Sequence, residues 1–170
     1  DRVFFALWPD ARVRALLSRT ARQMHAQIQG RITAQESMHL TLAFVGAIDP
    51  EKCARLLRPP HSVALTPFTL TLDRWGCWTH NEIGWAGPSR TPAALREFVS
   101  SLQTWLSDAG FVLDNRAFAP HVTLVKGAHC GELRGLATPI EWAVEGFALV
   151  RSLRTSRGSH YEPMRVWNAL

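Results

Sequence analysis

The feature that most constrains this chain is a repeat. Residues 39–46 read HLTLAFVG and residues 121–125 read HVTLV, so the pattern His-x-Thr-Leu returns 82 positions on. Both copies sit in runs with strand character. Side chains two apart on a strand share a face, so His39 and Thr41 point one way while Leu40 and Leu42 point the other. His121 and Thr123 likewise share a face, with Val122 and Leu124 opposite. Each strand thus needs a core on one side and leaves a polar side free.

The surrounding pattern repeats as well. RVFFAL at 2–7 reads as a strand, and Pro9-Asp10 opens a helix over roughly residues 10–28. Val13, Leu16, Leu17, Met24 and Ile28 form its stripe, and Gly30 ends it. DPEKCARLL suggests a short helix with Asp49 as N-cap and Pro50 in its first turn, stopped by Pro59-Pro60. Two strands follow, PFTLTLDRWGCW and EIGWAG, joined by a turn at 79–81. The next helix spans TPAALREFVSSLQTWLSDAG, with Thr91 as its expected cap and Leu95, Phe98, Val99, Leu102 and Leu106 as its apolar stripe. A loop or short helix near 128–136 and further strands complete the chain. Each long helix precedes one His-x-Thr strand. The expectation is an α+β fold: two pseudo-symmetric lobes, each an antiparallel or mixed sheet with helices, packed around a central cleft. No low-complexity linker divides the halves, so residues 1–170 are read as a single domain.

Composition narrows the class. An apolar content of 46% with 19% charged residues describes a globular chain, and no apolar run reaches the ~18 residues of a membrane span. The N-terminal run is stopped by Trp8-Pro9 and lacks the layout of a signal peptide. Three cysteines, an odd and sparse count, argue against a disulfide framework and for a reducing cytoplasm. The net charge of +5 leans toward a polyanionic partner. Nearly all the positive charge is arginine, with Lys52 and Lys126 the two lysines. That bias reads equally as genomic base composition or as phosphate binding by guanidinium groups.

If the two polar faces meet, two imidazoles and two hydroxyls surround one pocket. Histidine's ordinary pKa of ~6.5 allows one ring to be protonated and one neutral near pH 7. Such a pair can serve as general acid and general base in one in-line displacement. Threonine hydroxyls can donate to a phosphoryl oxygen or hold an imidazole tautomer. A phosphodiester suits this set, and the scheme calls for no metal and no cofactor. A zinc site drawn from Cys77, His80, His129 and Cys130 matches no common ligand spacing. A single His-x-Thr would be an ordinary structural histidine; the second copy gives the pattern its weight.

At this point the chain resembles a known family. Paired His-x-[Ser/Thr] strands mark the two-histidine (2H) phosphoesterases, and this sequence is similar to their bacterial RNA 2′,3′-cyclic phosphodiesterase (LigT-like, 2′-5′ RNA ligase) branch. RVFFALWP resembles the opening strand, MHLTLAFVG the first motif, FAPHVTLVKG the second and GSHY…W the tail. The resemblance implies metal-independent opening of a terminal 2′,3′-cyclic phosphate to a 2′-phosphate. It implies His121 as proton acceptor, His39 as proton donor, and Thr41, Thr123 and Lys126 as phosphate ligands. Reversal would join RNA ends 2′-5′ without ATP. The implied partners are RNA with 2′,3′-cyclic phosphate ends or small cyclic nucleotides, with no membrane association and a monomeric state.

Two positions depart from the family pattern. Ala43 stands where an arginine is common, and strict alternation puts it on the face of His39. Lys126 replaces a common arginine and would reach the pocket only through a bulge or strand end near Val125. Trp75, Trp78, Trp85, Phe5 and Phe44 are expected mainly in the core or between lobes. His160 and Tyr161 lie near the pocket edge at most. Two competing readings keep the fold: a phosphodiesterase for another small cyclic phosphate or (oligo)nucleotide, and a non-catalytic RNA-binding module.

Overall fold

A computed structural model describes residues 2–136 and 138–169. Strand β1 (Arg2–Leu7) leads into helix α1 (Ala11–Ile28). The Asp10 carboxylate accepts from the Val13 amide and caps α1. A two-residue strand β2 (Arg31–Ile32) and a 3₁₀ turn (Gln35–Ser37) precede β3 (Leu40–Ala47). Helix α2 (Pro50–Leu56) is capped by Asp49, whose side chain accepts from the Lys52 amide. Strands β4 (Phe68–Leu72), β5 (Arg74–Trp78) and β6 (Ile83–Gly87) lead to α3 (Ala93–Asp108). The chain closes with β7 (Val122–Lys126), β8 (Ile140–Val144), β9 (Gly146–Thr155) and β10 (Gly158–Asn168).

The α+β class is as expected, with the two halves fused into one surface. The main sheet runs β10-β9-β1-β3-β7-β6-β5, with β2 added beside β7, and all its pairings are antiparallel. The two His-x-Thr strands are therefore neighbours in one sheet. A separate β4-β8 pair covers the core.

Both long helices pack on one face. Val3, Phe5 and Leu7 from β1 join Leu17, Met24 and Ile28 from α1 and Leu95, Phe98, Leu102 and Leu106 from α3 in a single buried cluster. The α3 stripe is the one its periodicity predicts. Thr91 does not cap this helix: its N-cap is Pro92, with no side-chain hydrogen bond. On the other face Phe4, Ala6, Ala148 and Val150 make a small separate cluster beneath Trp8 and Tyr161. No helix of the described residues is long and apolar enough to cross a membrane.

The cysteines correct the reading drawn from their number. Cys77 and Cys130 form a disulfide across 53 positions, and Cys53 is free and buried. Parity misleads because the third cysteine is simply an apolar residue of α2 packed in the core. The bridge also commits two of the four side chains weighed as zinc ligands. Among the described residues no group of three or more His, Cys, Asp or Glu side chains is placed to hold a metal.

Candidate active site

Strands β3 and β7 pair through Leu40 and Val122. Continuing that antiparallel register sets His39 opposite Thr123 and Thr41 opposite His121. The four residues of the repeat thus form a two-by-two patch on the sheet face turned away from the helices. The polar faces do not meet across a gap between sheets; they lie side by side.

Both imidazoles are held in the same way. His39 Nδ1 lies 2.7 Å from the Ser37 carbonyl oxygen, and His121 Nδ1 lies 2.9 Å from that of Ala119. A carbonyl only accepts, so each Nδ1 carries the proton and each Nε2 is left for chemistry. Backbone carbonyls two residues upstream fix the tautomers, leaving the threonine hydroxyls available to a ligand. Arg14 braces the first of these contacts: its guanidinium donates to the Pro9 carbonyl at 2.9 Å and to that of Gln35, which opens the turn ending at Ser37, at 2.7 Å.

Aromatic rings shape each histidine. His39 has Phe4 at 4.8 Å and Tyr161 at 5.0 Å between ring centroids, with Trp8 stacked at 6.1 Å. Trp78 meets His121 edge-on at 4.7 Å and leans on Trp85 at 5.1 Å. Burial pushes the His39 pKa down to about 4, aided by the positive charges of Lys126 and Arg14 and opposed by the Ser37 hydrogen bond. Burial also pushes His121 below its ordinary value, against the Ala119 hydrogen bond. In the free protein near pH 7 both rings are therefore neutral.

Two bulges decide which further side chains face the pair. Between β1 and β3 the partners step from Phe5↔Ala43 to Ala6↔Thr41, so Leu42 has no partner of its own. Between β6 and β7 they step from Gly84↔Val125 to Trp85↔Thr123, leaving Leu124 unmatched. Both extra residues occupy the leucine of His-x-Thr-Leu. A bulge turns two successive side chains to one side. Leu42 and Ala43 are both buried, as are Leu124 and Val125. The strand phase then flips, bringing Phe44 and Lys126, each five positions after its histidine, to the histidine face.

Ala43 consequently does not share the face of His39; it lies in the core, and the position facing the site is Phe44. Lys126 does reach the site, its Nζ 5.9 Å from the Tyr161 ring centre. Phe5 is core at 0% exposure, whereas Phe44 is 45% exposed and lines the cleft on both sides of the histidines. Trp78 and Tyr161 also belong to the site. Strand order, with no local pattern in the sequence, brings them there. His160 faces away from it, opposite Leu153 on β9.

Neutral imidazoles presenting Nε2, hydroxyls beside them and a cation at the rim form a set suited to acid–base chemistry on a phosphate ester. A family model described as LigT like Phosphoesterase matches residues 7–84. The chain is 31% identical over 170 residues to the RNA 2′,3′-cyclic phosphodiesterase of Escherichia coli, covering 98% of this chain and 96% of that protein. The crystal structure of E. coli LigT in apo form superposes with a TM-score of 0.83 at 29% identity, covering 99% of this chain and 96% of that one. The complex of that enzyme with 3′-AMP superposes at 0.81 and 28% identity, covering 99% and 97%. The chain belongs to the LigT-like phosphoesterases.

Proposed function

We propose that this protein opens 2′,3′-cyclic phosphates at RNA or nucleoside 3′ ends to give the 2′-phosphate and a free 3′-hydroxyl. The observation that carries the reading is the His-x-Thr pair on adjoining strands, with both Nε2 atoms left free by the carbonyl contacts of Ser37 and Ala119. The full-length similarity to a protein named RNA 2′,3′-cyclic phosphodiesterase supports the choice of substrate.

The step balances with this chain's own groups. Neutral His121 takes a proton from water as the water oxygen bonds to phosphorus. The bond from phosphorus to O3′ breaks, and His39, charged at that point, gives its Nε2 proton to O3′. Thr41, Thr123 and Lys126 hold the phosphoryl oxygens and stabilise the charge that develops on them. His39 is neutral in the free protein, so the substrate anion must raise its proton affinity on binding; an opposite charge within a few ångströms does this. With a 5′-hydroxyl in place of water, and the phosphate as product linkage, the same groups permit 2′-5′ joining without ATP. One chain supplies both histidines, so the site is complete within a single-domain monomer and needs no second copy.

The test is turnover of a nucleoside 2′,3′-cyclic phosphate in EDTA, with the product isomer identified. Wild type should release the 2′-phosphate, and His39→Ala and His121→Ala should each lose about 10²–10⁴-fold. Activity on a different cyclic phosphate alone would move the assignment to that substrate. RNA binding without turnover, unchanged in both variants, would make the protein a binding module.

A further inference from the structure

Two cavities flank the histidine pair and share Thr41 and Phe44. The one beside His121, about 450 Å³, has Trp78, Phe44 and Phe118 as walls and the amides of Asn81 and Gln103 among its polar groups. The one beside His39, about 240 Å³, is different in character. Past Phe4 and Tyr161 its floor is made by Arg2, Ser152, Arg154 and Ser159.

The sheet register assembles that floor. Arg2 is opposite Ser152, and Ser159 is opposite Arg154, on three successive strands. Alternation puts Arg2 on the face of Phe4, which touches the His39 ring. Two residues along β1 is ~7 Å, so the Arg2 backbone lies about that far beyond Phe4, and Arg2 and Arg154 line the same cavity as His39. Among the described residues no carboxylate lines this cavity. Arg2 lies over the Phe44 ring, 5.5 Å from its centre, which orients it toward the cleft. Glu162, next to Tyr161 on β10, is on the opposite face in an ion pair with Arg151. Two guanidinium groups and two hydroxyls, all able to donate and none carrying negative charge, suit a phosphate.

We infer that this cavity seats the upstream phosphate of an RNA chain, the one on the 5′ side of the nucleotide whose cyclic phosphate is opened. The inference rests on the phosphodiesterase reading and refines its substrate class: a polynucleotide end is preferred to a free nucleoside cyclic phosphate. In the mechanism above the 3′ oxygen leaves toward His39. The ribose therefore lies on that side of the phosphorus, and its 5′ substituent extends toward Arg2 and Arg154.

The experiment compares kcat/KM for a nucleoside 2′,3′-cyclic phosphate with that for the same compound carrying a 5′-phosphate. Wild type should favour the second by about tenfold or more, the scale of a charge-assisted contact. Added KCl should erode the preference, because exposed charges are screened. In Arg154→Gln, and further in the double variant with Arg2→Gln, the ratio should collapse toward one; Arg154→Lys should retain part of it. A wild-type ratio near one, or a ratio that survives both substitutions, overturns the inference and leaves the phosphodiesterase reading intact. Absence of turnover on both compounds overturns that reading and the inference with it.

Discussion

Acidification should expose the burial of His39 as a loss of stability. The folded-state pKa is about 4, against ~6.5 for an unperturbed histidine in the unfolded chain. A histidine held neutral in the fold contributes fully above the unfolded value and loses its contribution as pH falls toward the folded one. At pH 5 the unfolded chain is almost fully protonated at this position and the folded chain about one-tenth so. The differential is then about 2 kcal/mol relative to pH 7.5, rising to about 3 kcal/mol below pH 4, where both states are charged. His121 is lowered in the same direction and adds to the wild-type total. His39→Asn isolates the His39 part, since an asparagine amide keeps a donor within reach of the Ser37 carbonyl. Urea unfolding followed by tryptophan fluorescence at pH 7.5, 6.5, 5.5 and 5 gives the free energy of each protein. The variant should gain about 2 kcal/mol on wild type between the ends of that range. Parallel pH dependences would refute the reasoning, because they would mean that His39 titrates alike in both states.

The same neutrality predicts that an anion brings a proton with it. Titration of sulfate, which does not itself titrate here, in buffers of different ionisation enthalpy near pH 6.5 should show uptake approaching one proton; zero uptake would mean that a histidine is already charged in the free protein. Lys126→Gln should lower kcat/KM by about 10–100-fold, the worth of a hydrogen bond to a charged group, and steady-state rates on a nucleoside 2′,3′-cyclic phosphate would measure it. Replacing Cys77 and Cys130 by alanine should cost about 2–4 kcal/mol, since the bridge closes a loop across 53 positions, and equal urea midpoints for the variant and the oxidised wild type would contradict this.

Much of this architecture was legible locally. The Asp49 N-cap, the start of α1 at Pro9-Asp10, the α3 stripe and the two His-x-Thr strands follow from local signals, because a helix repeats every 3.6 residues and a strand every two. The repeat also identified His39, His121, Thr41 and Thr123 as candidate site residues before any geometry was known. Faces beyond the motif were not legible, since period two holds only until a strand bulges. Strict alternation places Ala43 on the site face for that reason, and it makes the access of Lys126 depend on a bulge. The Cys77–Cys130 bridge was hidden too, because residue counts carry no distances.

The sequence by itself determined which residues can do acid–base chemistry on a phosphate and that they come in two related sets. Tertiary structure alone decided that the two sets adjoin in one sheet, that the Ser37 and Ala119 carbonyls leave both Nε2 atoms free, and that Phe44 and Lys126 share their face. It also gathered Phe4 and Trp8 from β1 and its end, Tyr161 from β10 and Trp78 from β5 around the histidines. The reason is physical: alternation and capping are set by neighbours along the chain, whereas bulge position depends on strands whose partners are about 40 residues apart, and the burial that shifts the His39 pKa depends on rings as distant in sequence as Tyr161.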